Sequence, residues 1–222
     1  MADIAIITAI TDGYDQLKPV VPQDGADVEW ICVTDGQPLP DIDAATGWTV
    51  ICQQRHGAHP NLAAKLPKLR PWKYTTAACS IWVDASFRVT SPRFAIEVMA
   101  YADPIAQFTH PWRDCIYNEA AASEHLPKYA GEPVAEQAAH YRQEGHPEHW
   151  GLWAAGVIAR CHTQPVMDFS TLWARQINMW SFQDQISQPY ALRQCGLRPT
   201  ALPGTHFAND WLTYEGSPRH EA

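Results

Sequence analysis

The sequence contains no C-x-x-C pair, no G-x-x-x-x-G-K-[ST], no G-x-G-x-x-G and no G-x-S-x-G. These absences argue against a zinc ribbon or dithiol motif, a P-loop, a dinucleotide-binding loop and a nucleophile elbow. Long apolar runs are missing too. None approaches the roughly 20 residues of a membrane helix, and Asp3, with no basic residue ahead of Ile4-Ala5-Ile6-Ile7, gives no export signal. Basic charge is scarce: sixteen Lys and Arg against twenty-four Asp and Glu leave a net −8. No general positive field therefore draws the chain to an anionic membrane or a phosphate backbone, although a local basic groove leaves a nucleic-acid acceptor open. The expected setting is cytoplasmic, without a membrane partner, and the six scattered cysteines are expected to be reduced and mostly buried.

What is present is the balance of a globular protein, 46% hydrophobic and 18% charged over 222 residues. That length is expected to form one domain over 1–222. Short β-branched runs at Ile4 to Ile10, Val28 to Val33, Trp48 to Cys52 and Cys79 to Val83 predict four early strands, each ending in polar residues. Pro19, Pro22, Pro38 and Pro40 predict irregular connections between the first three. Further on, the pattern predicts helices over Pro92 to Ala102, Cys115 to His125, Val134 to Gln143, Met167 to Trp180 and Gln183 to Cys195. It also predicts a strand at Ile105 to Thr109, one or two strands over Trp150 to Cys161, and a tail after Gly196 that loops back on the body. Strands early and helices interleaved later predict a three-layer α/β domain with a mainly parallel sheet. In such sheets ligands bind at the carboxyl ends of the strands, where Thr11, Asp35, Arg55 and Asp84 fall.

The residue types at that edge suit phosphate chemistry. Asp84, at the end of Ile81-Trp82-Val83, is placed either to hold a divalent cation or to cap the following turn; the local sequence leaves both open. Arg55, Lys65 and Lys68 lie between the third and fourth strands and either neutralise phosphate or form a solvated charged face. The interleaved Pro67, Pro71 and Trp72 argue against a regular surface helix there. Asp184 and Gln185 follow an apolar helix, where Asp184 either caps the next helix or orients a sugar hydroxyl. His206, in a Gly/Pro-bordered tail, is placed to close over a metal. Ten tryptophans suit sugar or base binding but equally a large core.

Several segments together resemble a known family. Thr8-Ala9-Ile10-Thr11-Asp12-Gly13-Tyr14-Asp15-Gln16-Leu17-Lys18-Pro19 is similar to the opening motif of the glycosyltransferase-like domain once catalogued as a domain of unknown function and later linked to plant mucilage-type transferases. Val33-Thr34-Asp35, Ala64-Lys65 with Lys68, Ser80-Ile81-Trp82-Val83-Asp84-Ala85-Ser86, the stretch from His110 to Ala120, Gly151-Leu152, Arg160-Cys161-His162 and Asp184-Gln185-Ile186-Ser187 follow in the same order, covering about residues 4 to 190.

The resemblance implies a GT-A-like sandwich with a Rossmann-like nucleotide-binding half over about 1–90, an acceptor half over about 91–200 and a tail over 201–222. It implies transfer of a sugar from a nucleotide-sugar, a UDP-sugar in the first instance, to a carbohydrate, protein or other hydroxyl acceptor, assisted by Mn2+ or Mg2+. Thr8, Thr11, Tyr14 and Trp82 would line the donor pocket, Asp35 would contact base or ribose, and Arg55, Lys65 and Lys68 would face phosphate. Asp84 would hold the metal with Ser86, which departs from the usual second carboxylate, and with His206. Asp184 and Gln185 are similar to the pair beside the anomeric carbon in retaining enzymes. His110, Arg113, Glu119 and His162 would shape the sugar or acceptor pocket, with the first three equally suited to a buried ion network. Two other readings stand beside this one: a metal-dependent phosphohydrolase acting on a nucleotide or sugar phosphate, and a non-catalytic carbohydrate- or nucleotide-binding module.

Overall fold

A computed structural model describes residues 2–37 and 46–216. Its first strand, β1 (Ile4–Ile10), pairs in parallel with β2 (Val28–Thr34) on one side and β4 (Cys79–Val83) on the other. β3 (Thr49–Cys52) extends the sheet beyond β2, again in parallel. β7 (Trp153–Cys161) is one continuous strand antiparallel to β4, and beyond it lie β6 (Ile105–Thr109) and the two-residue β8 (Thr200–Ala201). The order β3-β2-β1-β4-β7-β6-β8 makes a mainly parallel sheet with one reversed strand, the GT-A-like architecture. The expected connection without helices holds between β1 and β2; Pro38 and Pro40 lie outside the described residues.

Successive strand residues point to opposite faces, and both faces are apolar. Ile4 and Ile6 of β1 join Trp30, Ile81 and Val83 against α2 (Phe94–Met99), while Ala5 and Ile7 join Ile31, Val33 and Trp82 against α5 (Gln164–Met179). That two-sided burial is why the early runs read as continuous apolar stretches. α2 is shorter than the Pro92 to Ala102 pattern predicts, because its last residues close as turns. A third apolar cluster packs α3 (Ile116–Ser123), α4 (Val134–Gln143) and α6 (Asp184–Gln194). The tail returns as expected and forms more than a loop: Trp211 and Leu212 are buried, and β9 (Leu212–Tyr214) pairs with β5 (Phe87–Val89). Cys32 and Cys115 are buried, but Cys52 is exposed and the other three are half-buried, so burial is less general than expected; all six thiols are free.

The basic stretch departs from expectation. Lys65 and Lys68 sit on a ten-residue helix, α1 (Pro60–Leu69), with Pro67 inside it. Pro60 suits the first turn, where its missing N–H is not needed. Pro67 removes one internal bond, but α1 is tied down by tertiary contacts: Leu69 packs into the core and the buried Arg160 of β7 donates to the Lys68 carbonyl. The helical spacing of three brings both lysines to one face.

Trp173 of α5 is wholly buried, stacks on Phe169 and donates from Nε1 to the Asp184 carbonyl at 3.0 Å. Trp173→Ala is expected to cost about 3–5 kcal/mol in urea unfolding. Burial, aided by Arg193 and Arg160 respectively, pushes His146 and His162 down to about 4. Both are therefore neutral when folded and protonate more readily when unfolded, so their contribution is complete above about pH 6.5 and declines as pH falls towards 4. Unfolding midpoints should drop between pH 7 and 5, and less steeply in His146→Gln.

Candidate functional site

The carboxyl ends of β1 and β4, the start of α1, the start of α6 and the returning tail enclose a cleft of about 520 Å³. Thr11, Tyr14, Lys65, Lys68, Trp82, Asp84, Ser86, Asp184, Gln185 and His206 all line it. Residues up to 195 positions apart in the chain are thus brought to one edge by the sheet order and the tail.

At its centre lie two lysines and two aspartates. Lys68 Nζ is 2.7 Å from Asp184 Oδ2 and 3.7 Å from Asp84 Oδ1; Lys65 Nζ is 3.2 Å from Asp184 Oδ2. Burial alone would raise the Asp184 carboxyl, but Lys65 and Lys68 outweigh it and hold the group well below the usual carboxylate range. For Lys68, burial opposes the charge, yet Asp184 and Asp84 prevail and hold it above the usual lysine range. For Lys65, burial prevails and pulls it down. The Asp184 carboxylate is thus engaged by cations rather than by the helix start. Its backbone is fixed separately, the carbonyl accepting from Trp173 Nε1 and Ser187 Oγ.

Asp84 is likewise more than a turn cap. The turn after β4 is closed by backbone, with Phe87 N donating to the Asp84 carbonyl at 2.9 Å and Asp84 N donating to Gly156 at 2.8 Å. The carboxylate itself accepts from Trp82 Nε1 at 2.5 Å and is 39% exposed towards the cleft. Gly156 is required by this approach: a Cβ there would lie 2.9 Å from the Phe87 ring and 3.2 Å from Asp84 Oδ2.

Among the described residues no three His, Cys, Asp or Glu side chains cluster as a metal site. Asp84, Ser86 and His206 nevertheless share the cleft, and the buried His206 Nδ1 has no hydrogen-bond partner. Burial pushes the imidazole down to about 4, so it is neutral at physiological pH, the form that ligates metals. Their oxygens and imidazole nitrogen are of the donor types that divalent cations accept.

The remaining expected residues fall elsewhere. Thr8 is buried with an unpartnered Oγ1 and faces a separate water-sized hollow behind Asp84. Arg55 does not face the lysines: its Nε is 2.7 Å from Asp35 Oδ2, and Asp35 also accepts from Asp12 N at 3.0 Å, so the pair braces the loop after β1. His110, Arg113 and Glu119 form the ion network that was the alternative. Arg113 Nε is 2.5 Å and His110 Nε2 3.6 Å from Glu119 Oε2, and Glu119 accepts from Gln183, which lines the cleft. His162 does not belong to the site. It follows β7 at the opposite, amino edge of the sheet, 2.8 Å from Ser80 Oγ, because the antiparallel strand carries its C-terminus away from the cleft.

The sequence also left cleft residues unnamed. His59 stacks on Phe182 with ring centroids 5.1 Å apart, Tyr129 packs on the same ring, and Phe87, Phe207 and Tyr214 line the other side. Gly156, a glycine inside a strand, was a legible signal of close approach; Tyr129 carried none.

The fold and the charged edge together define a GT-A-like α/β domain with a lysine–aspartate cluster in a cleft at the carboxyl edge of the sheet. The chain belongs to the TOD1/MUCI70 glycosyltransferase-like domain family, whose model matches residues 38–203. No curated protein matches the chain. The match covers most of the chain and includes Lys65, Lys68, Asp84 and Asp184, while Thr11 and Tyr14 precede it and His206 follows it.

Lys68→Met would leave Asp184 buried with one cation. Removing one partner of a buried pair costs about 3–5 kcal/mol, and this loss should appear in urea unfolding at pH 7. The contribution of Asp184 is present above its unfolded value near 4 and is lost as pH falls through its depressed folded value. The gap between wild type and variant should therefore narrow below pH 4.

Proposed function

We propose that this chain transfers a sugar from a nucleotide-sugar, with a UDP-sugar favoured, to a hydroxyl acceptor with retention of configuration. The observation that carries this reading is the buried Asp184 clasped by Lys65 and Lys68 beside Asp84, in a chain of a glycosyltransferase-like family. Thr11 and Tyr14, on the β1 side, would meet the nucleotide, in keeping with a nucleotide-binding half over about 1–90 and an acceptor half over about 91–200.

Cleaving the bond from the anomeric carbon to phosphate sends its electron pair to the diphosphate and leaves positive charge on the sugar. Lys65 and Lys68 meet the first change and Asp184 the second, so each charge is stabilised where it develops. The two lysines and two aspartates balance before donor binds. A diphosphate competes with Asp184 for the lysines and turns the carboxylate towards the reacting carbon. Gln185, whose Nε2 donates to the Trp153 carbonyl at 3.3 Å, would meet the sugar beside Asp184. Asp84, Ser86 and His206 would hold Mn2+ or Mg2+, which supplies further charge to the departing diphosphate. The acceptor hydroxyl would attack from the face the diphosphate leaves, which retains configuration, and would pass its proton to a departing phosphate oxygen as the new bond forms.

Two measurements test this. In a thermal-shift screen, nucleoside diphosphates and nucleotide-sugars should raise the melting temperature more with Mn2+ than without it, and Asp84→Asn should lose the Mn2+-dependent part. Unchanged Mn2+ dependence in that variant would remove Asp84 from the metal site. Once turnover is established, Asp184→Asn should lower it on the order of 10²–10³-fold with a much smaller change in donor affinity. Equal losses would make Asp184 merely structural, and acceptor-independent release of free sugar phosphate would favour the phosphohydrolase.

A further inference from the structure

Trp112 is the most exposed large apolar side chain among the described residues, at 70%. Its position is nonetheless fixed. His110 Nδ1 accepts from the backbone of Trp112 at 3.4 Å and Arg113 at 3.1 Å, and the His110 ring meets the indole edge-on at 5.7 Å. The indole lies 5.7 Å from the Phe207 ring, tilted by 34°. Phe207 is itself 45% exposed and lines the cleft beside His206. Two adjoining, part-exposed aromatic rings therefore run from solvent to the mouth of the cleft, on a loop whose backbone His110 holds. Burial in the core does not explain them.

Their place along the sheet edge gives them a role. In the order β2-β1-β4-β7-β6, the proposed nucleotide wall lies at β1, the lysine–aspartate centre at β4, and Trp112 after β6. The platform is thus on the far side of the proposed reacting carbon from the nucleotide. Its border is polar, with Asp114 67% and Arg113 30% exposed in their side chains. A lipid chain calls for a continuous apolar groove, which this border interrupts. A pyranose ring has apolar C–H faces of partial positive charge and hydroxyls at its edge, which match the negative faces of the aromatic rings and the polar border.

We propose that Trp112 and Phe207 form an acceptor subsite that stacks a saccharide ring. This deepens the transferase reading and rests on it for the word acceptor. The test uses protein with 15N-labelled indoles, with the Trp112 signal identified by its loss in Trp112→Phe. Maltotetraose, cellotetraose, xylotetraose and a hexuronic acid tetramer are titrated with and without UDP. At least one saccharide should shift the Trp112 signal and bind roughly tenfold or more weakly to Trp112→Ala, while affinity for UDP is unchanged. Three results would overturn the proposal: no saccharide moves the signal, saccharide affinity is the same in Trp112→Ala, or sedimentation shows a dimer that Trp112→Ala abolishes. If saccharides bind through Trp112 but no nucleoside diphosphate or nucleotide-sugar binds at all, the transferase reading fails and the saccharide site stands.

Discussion

The 2.7 Å contact between Lys68 and Asp184 joins the end of α1 to the start of α6 across the carboxyl edge of the sheet. Neither group would be tolerated alone at this depth, since an unpaired buried charge costs several kcal/mol. The pair therefore constrains both helices at once. Arg160 fixes the Lys68 backbone from below, and Trp173 fixes the Asp184 backbone from behind. Lys65 and Asp84 sit within reach on either side, so the central pair is the middle of a four-charge cluster.

This arrangement also explains why glycine is needed at position 156. The Asp84 carboxylate, held by the Trp82 indole, lies close to the backbone of β7, and a Cβ at 156 would run into the Phe87 ring at 2.9 Å as well as crowd Asp84 Oδ2 at 3.2 Å. β7 is the reversed strand, so it presents its early residues to the cleft and sends Arg160 down to anchor α1. One strand thereby shapes the site at one end and supports it at the other.

The sheet was legible because strands buried on both faces leave continuous apolar runs, as Ile4 to Ile10 and Cys79 to Val83 show. The charged centre was legible because Lys65, Lys68, Asp84 and Asp184 carry chemistry wherever a parallel sheet gathers them. Other features depend on tertiary contacts that no local pattern records. Pro67 argued against a helix that packing then enforced. Arg55 looked like a phosphate ligand until the fold set Asp35 beside it. His162 followed a strand whose direction the sequence did not reveal, and reversal of that one strand moved it to the wrong edge.

The tail shows most clearly how distant segments complete the site. Its anchor is apolar: Trp211 and Leu212 are buried against the sheet, and Trp211 Nε1 donates to Glu97 at 2.7 Å. Pairing of β9 with β5 then sets the segment before it against Phe87, whose ring meets His206, Phe207 and Tyr214. Phe87 in turn follows Asp84 by one tight turn. The position of His206 over the cleft is therefore a consequence of core packing more than 100 residues from the strand it serves. The same packing buries its Nδ1 without a hydrogen-bond partner.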